Sequence, residues 1–111
     1  MSNVLKQLDQ VLQSRLNGSD STSYTAQLYQ KGVDSIAKKV IEEAGEVILA
    51  AKSLQYTSTD ENEQHLVYET ADLWFHSLVL LKQAGLDYQQ VLDELQRRFG
   101  QSGLEEKANR S

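Results

Sequence analysis

The sequence contains no cysteine and no proline. Without cysteine there is neither a disulfide framework nor a thiolate metal site, which fits a cytoplasmic protein. Without proline the commonest helix breaker is gone, and helices can run long; this favours an all-α fold. No apolar run reaches membrane-spanning length, and the N-terminal residues 1–6 are amphipathic rather than a leader peptide. There is no glycine-rich phosphate loop, so a P-loop enzyme is excluded. Positive charge is also in deficit. The net charge of −5 argues against sequence-independent binding to nucleic acid or to an anionic membrane. What remains is 111 residues, 40% apolar and 24% charged, with no internal repeat and no low-complexity segment. Such a chain fits one globular domain over residues 1–111, with residues 101–111 a polar tail.

Apolar spacing predicts five helices. Val4, Leu5, Leu8, Val11, Leu12 and Leu16 follow the 3.6-residue period, with Ser2 a candidate cap and Gly18 just past the end. A short helix over Tyr24 to Lys31 should stop at Gly32. Asp34 is the expected cap of a long helix over Ser35 to Leu54, whose stripe includes Ile36, Val40, Ile41, Val47 and Ile48. After a turn over Ser53 to Asp60, Ser58 and Glu61 form a capping box for a second long helix ending near Gln83, with Gly85 as its stop. Asp87 caps the last helix, which Gly100 should end.

The second long helix is apolar nearly all round, so it is central to a bundle or lies in a subunit interface. Its one polar stripe is His65, Glu69, Asp72 and His76. The two long helices should run antiparallel, which can bring Glu69 and Asp72 toward Glu42, Glu43 and Glu46. At about 100° per residue the last three share roughly a third of their helix circumference. Taken alone, those three glutamates read as a solvated face. Glu69 and Asp72 have little solvent side and must be paired, protonated or metal-bound. Both groups on adjacent helices point to a hard cation held by oxygen, Mg²⁺ with Mn²⁺ as a possible substitute. A di-iron site would use Glu-x-x-His, which occurs nowhere, and two histidines eleven apart are a weak zinc site. His76 fits a core histidine or an outer partner of Asp72.

Carboxylate-held magnesium usually serves phosphates. Lys31, Lys38, Lys39 and Lys52 flank the acidic helix; each is either a phosphate ligand or an ordinary i,i+4 partner, as Lys39 would be for Glu43. No nucleophile with an adjacent base stands out. The chemistry left is direct attack of water on a phosphoanhydride with a cation's help.

Glu-Glu-x-x-Glu at 42–46 followed by Glu-x-x-Asp at 69–72 resembles the signature of the all-α MazG-like nucleotide pyrophosphatases. Ser23-Tyr24-Thr25-Ala26, Lys38 to Val47, Glu69 to His76 and Ser102 to Lys107 are similar, within that superfamily, to the phosphoribosyl-ATP pyrophosphatases. The chain departs from their pattern at Ile41, where glycine is common, and at Gly45, where a small β-branched or hydroxyl residue is usual. The resemblance implies an antiparallel helical bundle completed by dimerisation. It also implies Mg²⁺-dependent hydrolysis of 1-(5-phosphoribosyl)-ATP to the AMP form and pyrophosphate, the second step of histidine biosynthesis. On this reading Glu43, Glu46, Glu69 and Asp72 are metal ligands and Glu42 orients or deprotonates the attacking water. Lys31, Lys38, Lys39 and Lys107 then hold phosphates, and His76 stands behind Asp72. The competing readings are a relative cleaving another (d)NTP, and a non-enzymatic helical adaptor.

Overall fold

The computed structural model describes residues 3–18 and 22–99. They form five helices and, among the described residues, no strand: α1 (Val4–Leu16), α2 (Tyr24–Lys31), α3 (Val33–Tyr56), α4 (Asp60–Gln83) and α5 (Tyr88–Arg98). The all-α expectation holds. The expected stops at Gly100 and the tail from 101 to 111 lie outside the described residues.

Helices α3 and α4, each 24 residues long, make the principal packing pair. Only Thr57 to Thr59 separate them, so the pair is an antiparallel hairpin. The Asn62 amide locks the turn by donating to the carbonyls of Thr57 at 2.7 Å and Ser53 at 3.4 Å. The cap itself is Thr59, whose hydroxyl accepts from the Asn62 N–H, and not the expected Ser58 with Glu61. Of two adjacent hydroxyl residues, the one whose backbone is extended just before the helix takes the role.

Three other boundaries shift. The position before α1 is Asn3, which makes no side-chain cap; Ser2, the expected cap, lies outside the described residues. Helix α3 runs to Tyr56 rather than Leu54, and it begins at Val33, ahead of the expected cap Asp34. Gly32 explains the early start. Its N–H closes α2 on the Leu28 carbonyl, while its own carbonyl accepts from Ile36 to open α3. Its φ of 94° lies where only glycine is at ease. Asp34 then falls in the first turn of α3, where its charge suits the helix dipole. At the far end the expectation holds: Asp87 and Gln90 form a full capping box for α5.

The core gathers Leu12, Leu28, Tyr29, Ile36 and Val79, with Leu8, Leu16, Phe75 and Leu78 packed on it. The buried positions of α3 are Ile36, Glu43 and Ala50, one every seven residues. Ile41 and Ile48, expected on the inner stripe, are 74% and 62% exposed. Leu49 is exposed as well. In α4 the pattern is inverted relative to an ordinary amphipathic helix. Its acidic and histidine stripe faces inward at Glu69, Asp72 and His76, whereas Val67 and Trp74 face outward. Trp74 is the ridge between two apolar grooves. One, of about 400 Å³, runs between α1, α4 and α5 past Leu73, Leu78 and Tyr88. The other, of about 290 Å³, lies against Leu66, Val67 and Ala71.

Candidate metal centre and lysine pocket

Glu43 occupies a core position of α3, and Glu69 and Asp72 lie one turn apart on α4. The hairpin brings the three together, so that one carboxylate oxygen from each lies within 4.8 Å of the others. Glu43 and Glu69 are buried, at 7% and 8% exposure, and Asp72 is half-buried. Three like charges at this spacing, two of them out of water, are costly unless a cation compensates them. The ammonium that meets this group is Lys39, 3.3 Å from Glu43 Oε1 and shared with Glu42 Oε2 at 3.4 Å. Burial pulls the Lys39 ammonium down, but hydrogen bonds to Glu43 and Glu42 outweigh it and leave its pKa raised. One shared ammonium against these carboxylates leaves the group acidic. All-oxygen donors with residual negative charge fit a hard divalent cation.

His76 is 3% exposed and sits behind Asp72. Its Nδ1 lies 2.8 Å from the Asp72 carbonyl and 3.6 Å from Asp72 Oδ1, and its Nε2 lies 2.8 Å from the hydroxyl of Tyr24 on α2. The Tyr24 and Phe75 rings both meet the imidazole edge-on, with centroids 5.8 and 5.2 Å away. Burial pushes the Tyr24 phenol up. Lys39 draws it back, and Asp72, Glu43 and Glu42 push it up further.

Beside the acids, Tyr24, Lys31, Ser35, Lys38, Lys39 and Glu42 line a pocket of about 280 Å³. Three of the five lysines considered for phosphate therefore share one cavity; Lys107 lies outside the described residues. Lys52 instead donates to Gln55 at 3.4 Å. Glu42 is exposed at the rim of the pocket. Glu46 is exposed too, one turn along α3 from Glu43 and not part of the converging trio. The residue that motif spacing missed is Tyr24. Its signal was present in the Ser23-Tyr24-Thr25 segment, but nothing in spacing pairs it with a histidine 52 positions on.

The family model described as phosphoribosyl-ATP pyrophosphohydrolase matches residues 5–99, which includes every acid and described lysine of the site. A protein of Hydrogenovibrio crunogenus named phosphoribosyl-ATP pyrophosphatase is 56% identical over the whole chain and 96% of its own length. Relatives of the same name from Neisseria meningitidis serogroup C and Neisseria gonorrhoeae are 53% and 52% identical, across 97% of the chain and 94% of their own lengths. A match of that extent over an acidic helical hairpin is decisive, and this chain belongs to the phosphoribosyl-ATP pyrophosphohydrolase family.

Proposed function

We propose that the chain hydrolyses 1-(5-phosphoribosyl)-ATP to 1-(5-phosphoribosyl)-AMP and pyrophosphate at the Glu43–Glu69–Asp72 centre, with Mg²⁺ as its cation and Mn²⁺ as a possible substitute. This would be the second step of histidine biosynthesis, carried out in the cytoplasm by a homodimer. Family membership makes the reaction the hydrolysis of a phosphoanhydride. The observation that supports the site is the convergence of three carboxylates within 4.8 Å, two of them buried. On the described residues no helix is long and apolar enough to cross a membrane, in keeping with a small-molecule substrate met in water.

Glu43, Glu69 and Asp72 would hold the cation, and Glu46, a turn further along α3, completes the set of four. When bound, Mg²⁺ supplies Lewis acidity and neutralises charge on the phosphates. The chain's own residues do the rest. Breaking the α–β anhydride leaves negative charge on the departing pyrophosphate, and the ammonium groups of Lys31, Lys38 and Lys39 around one cavity stabilise it. Lys107 is assigned to the same task. Glu42, exposed at the rim, orients or deprotonates the attacking water. Lys39 bridges the two tasks, because the ammonium that lines the cavity also contacts Glu42 and Glu43.

The deciding assay measures pyrophosphate release from phosphoribosyl-ATP beside a panel of NTPs and dNTPs, with and without Mg²⁺. Release confined to phosphoribosyl-ATP and lost in EDTA is expected. Equal turnover of ordinary NTPs would move the substrate to the broader MazG-like class.

A further inference from the structure

Tyr24 presents an unusual division of environments. The residue as a whole is 49% exposed, yet its hydroxyl meets a histidine that is 3% exposed. A tyrosine serving only packing would leave its hydroxyl to water rather than spend it on a buried imidazole. The hydrogen-bond directions along the chain of contacts are determined. A backbone carbonyl can only accept, so the 2.8 Å contact with the Asp72 carbonyl places the proton on His76 Nδ1. In the neutral ring Nε2 then carries the lone pair, and the Tyr24 hydroxyl donates to it at 2.8 Å. The Nδ1–H pole also faces Asp72 Oδ1 at 3.6 Å.

The geometry points to Tyr24 as a positioning residue for the acidic centre, acting through His76 on Asp72; this rests on the reading of Glu43, Glu69 and Asp72 as a cation site. Without the hydroxyl, the Asp72 contacts alone hold the Nδ1–H tautomer and the ring's orientation, and the Nε2–H form gains ground. A ring with its proton on Nε2 would turn the Nδ1 lone pair toward the Asp72 carbonyl and carboxylate, and the repulsion would move Asp72 away from Glu43 and Glu69. Outer partners that orient a ligand in this way commonly change metal affinity by about 10–100-fold. The device also spans the fold, since Tyr24 opens α2 while His76 and Asp72 belong to α4.

The test uses Mn²⁺ alone as the probe, read from the free-ion paramagnetic resonance signal of the full chain without substrate. Tyr24→Phe keeps the ring and is expected to fold as the wild type does by circular dichroism, with its Kd for Mn²⁺ raised about tenfold. His76→Phe keeps a ring but removes both the N–H that meets Asp72 and the lone pair that meets Tyr24. It should show a similar loss, and the double variant should be no worse than the weaker-binding single variant. A merely structural hydroxyl would lower the melting temperature and leave the Kd of the folded protein unchanged. Wild-type Mn²⁺ affinity in Tyr24→Phe, or losses that add in the double variant, overturns the proposal. So does a variant whose only defect is a raised KM, since Tyr24 would then be a substrate contact. If the wild type itself binds no Mn²⁺, the cation site falls together with it.

Discussion

Lys82 Nζ lies 2.8 Å from Asp9 Oδ1, an ion pair that fastens α1 to the last turns of α4. Lys82 is buried, at 8% exposure, and its partner is only partly so. Removing one member of a buried pair strands the other charge. Asp9→Ala should therefore destabilise the fold by about 3 kcal/mol, near the lower end for such losses because Asp9 retains some solvent. Lys82→Met removes the buried charge itself and should cost clearly less. Urea unfolding of both variants decides it; equal losses would mean that the ammonium is not the liability.

Tyr29 carries an alkaline signature. Its hydroxyl is buried with no hydrogen-bond partner among the described residues, and burial, reinforced by Asp9, pushes the phenol up to about 12. A folded-state pKa above the unfolded value near 10 means that the folded chain keeps its proton longer. Stability from this source is fully present below pH 10 and is lost as pH rises toward 12. Tyr29→Phe should flatten that decline in urea midpoints measured between pH 8 and 11. At neutral pH it should be neutral or slightly stabilising, since no hydrogen bond is given up.

Glu69→Gln probes the acidic centre. It removes a buried carboxylate from a crowded trio and, on the proposed reading, a ligand from the cation site. We expect turnover to be abolished and the metal-free protein to be at least as stable as the wild type. Saturation at a hundred times Kd should stabilise the wild type by about 2.7 kcal/mol and the variant by much less. Thermal melts in EDTA and in excess Mg²⁺ provide the readout. A variant that is weaker in EDTA, yet gains as much from Mg²⁺, would make Glu69 a structural acid.

Trp74 tests assembly. At 61% exposure it separates two apolar grooves on the outer face of α4, more apolar surface than a lone subunit comfortably leaves in water. The expected state is a homodimer. Trp74→Glu should shift it to monomer in light scattering at micromolar concentration. A fully active wild-type monomer under the same conditions would refute the expectation.

The sequence made some of this legible because the signals were local. Asp87 with Gln90 announces the start of α5, and apolar spacing marks α1 and α2 closely. Glu69, on a helix with no other polar face, was recognisable as an acid that must be compensated, whereas Glu43 read as part of a solvated face until the second helix was set beside it. What failed was anything decided by a neighbour distant in sequence. Periodicity gives Ile41 and Ile48 an apolar side, but only the packing of α4 determines which part of that side is covered. It places Glu46 one turn from Glu43 without saying that the hairpin axis passes nearer Glu43. The pairing of Tyr24 with His76, and of Asp9 with Lys82, has no local mark at all.

Gly32 gives the fold a lever. A Cβ added there would meet nothing within 4 Å among the described residues, so against them the position is restricted only in torsion. Any side chain would be accommodated by the surroundings and opposed by its own backbone. Relaxing φ from 94° would rotate α2 against α3 about this point, and Tyr24 lies at the far end of the eight-residue arm. A change that touches no acid and no lysine would thus swing the phenol away from His76, and the damage would be registered at the opposite end of α2 from the substitution.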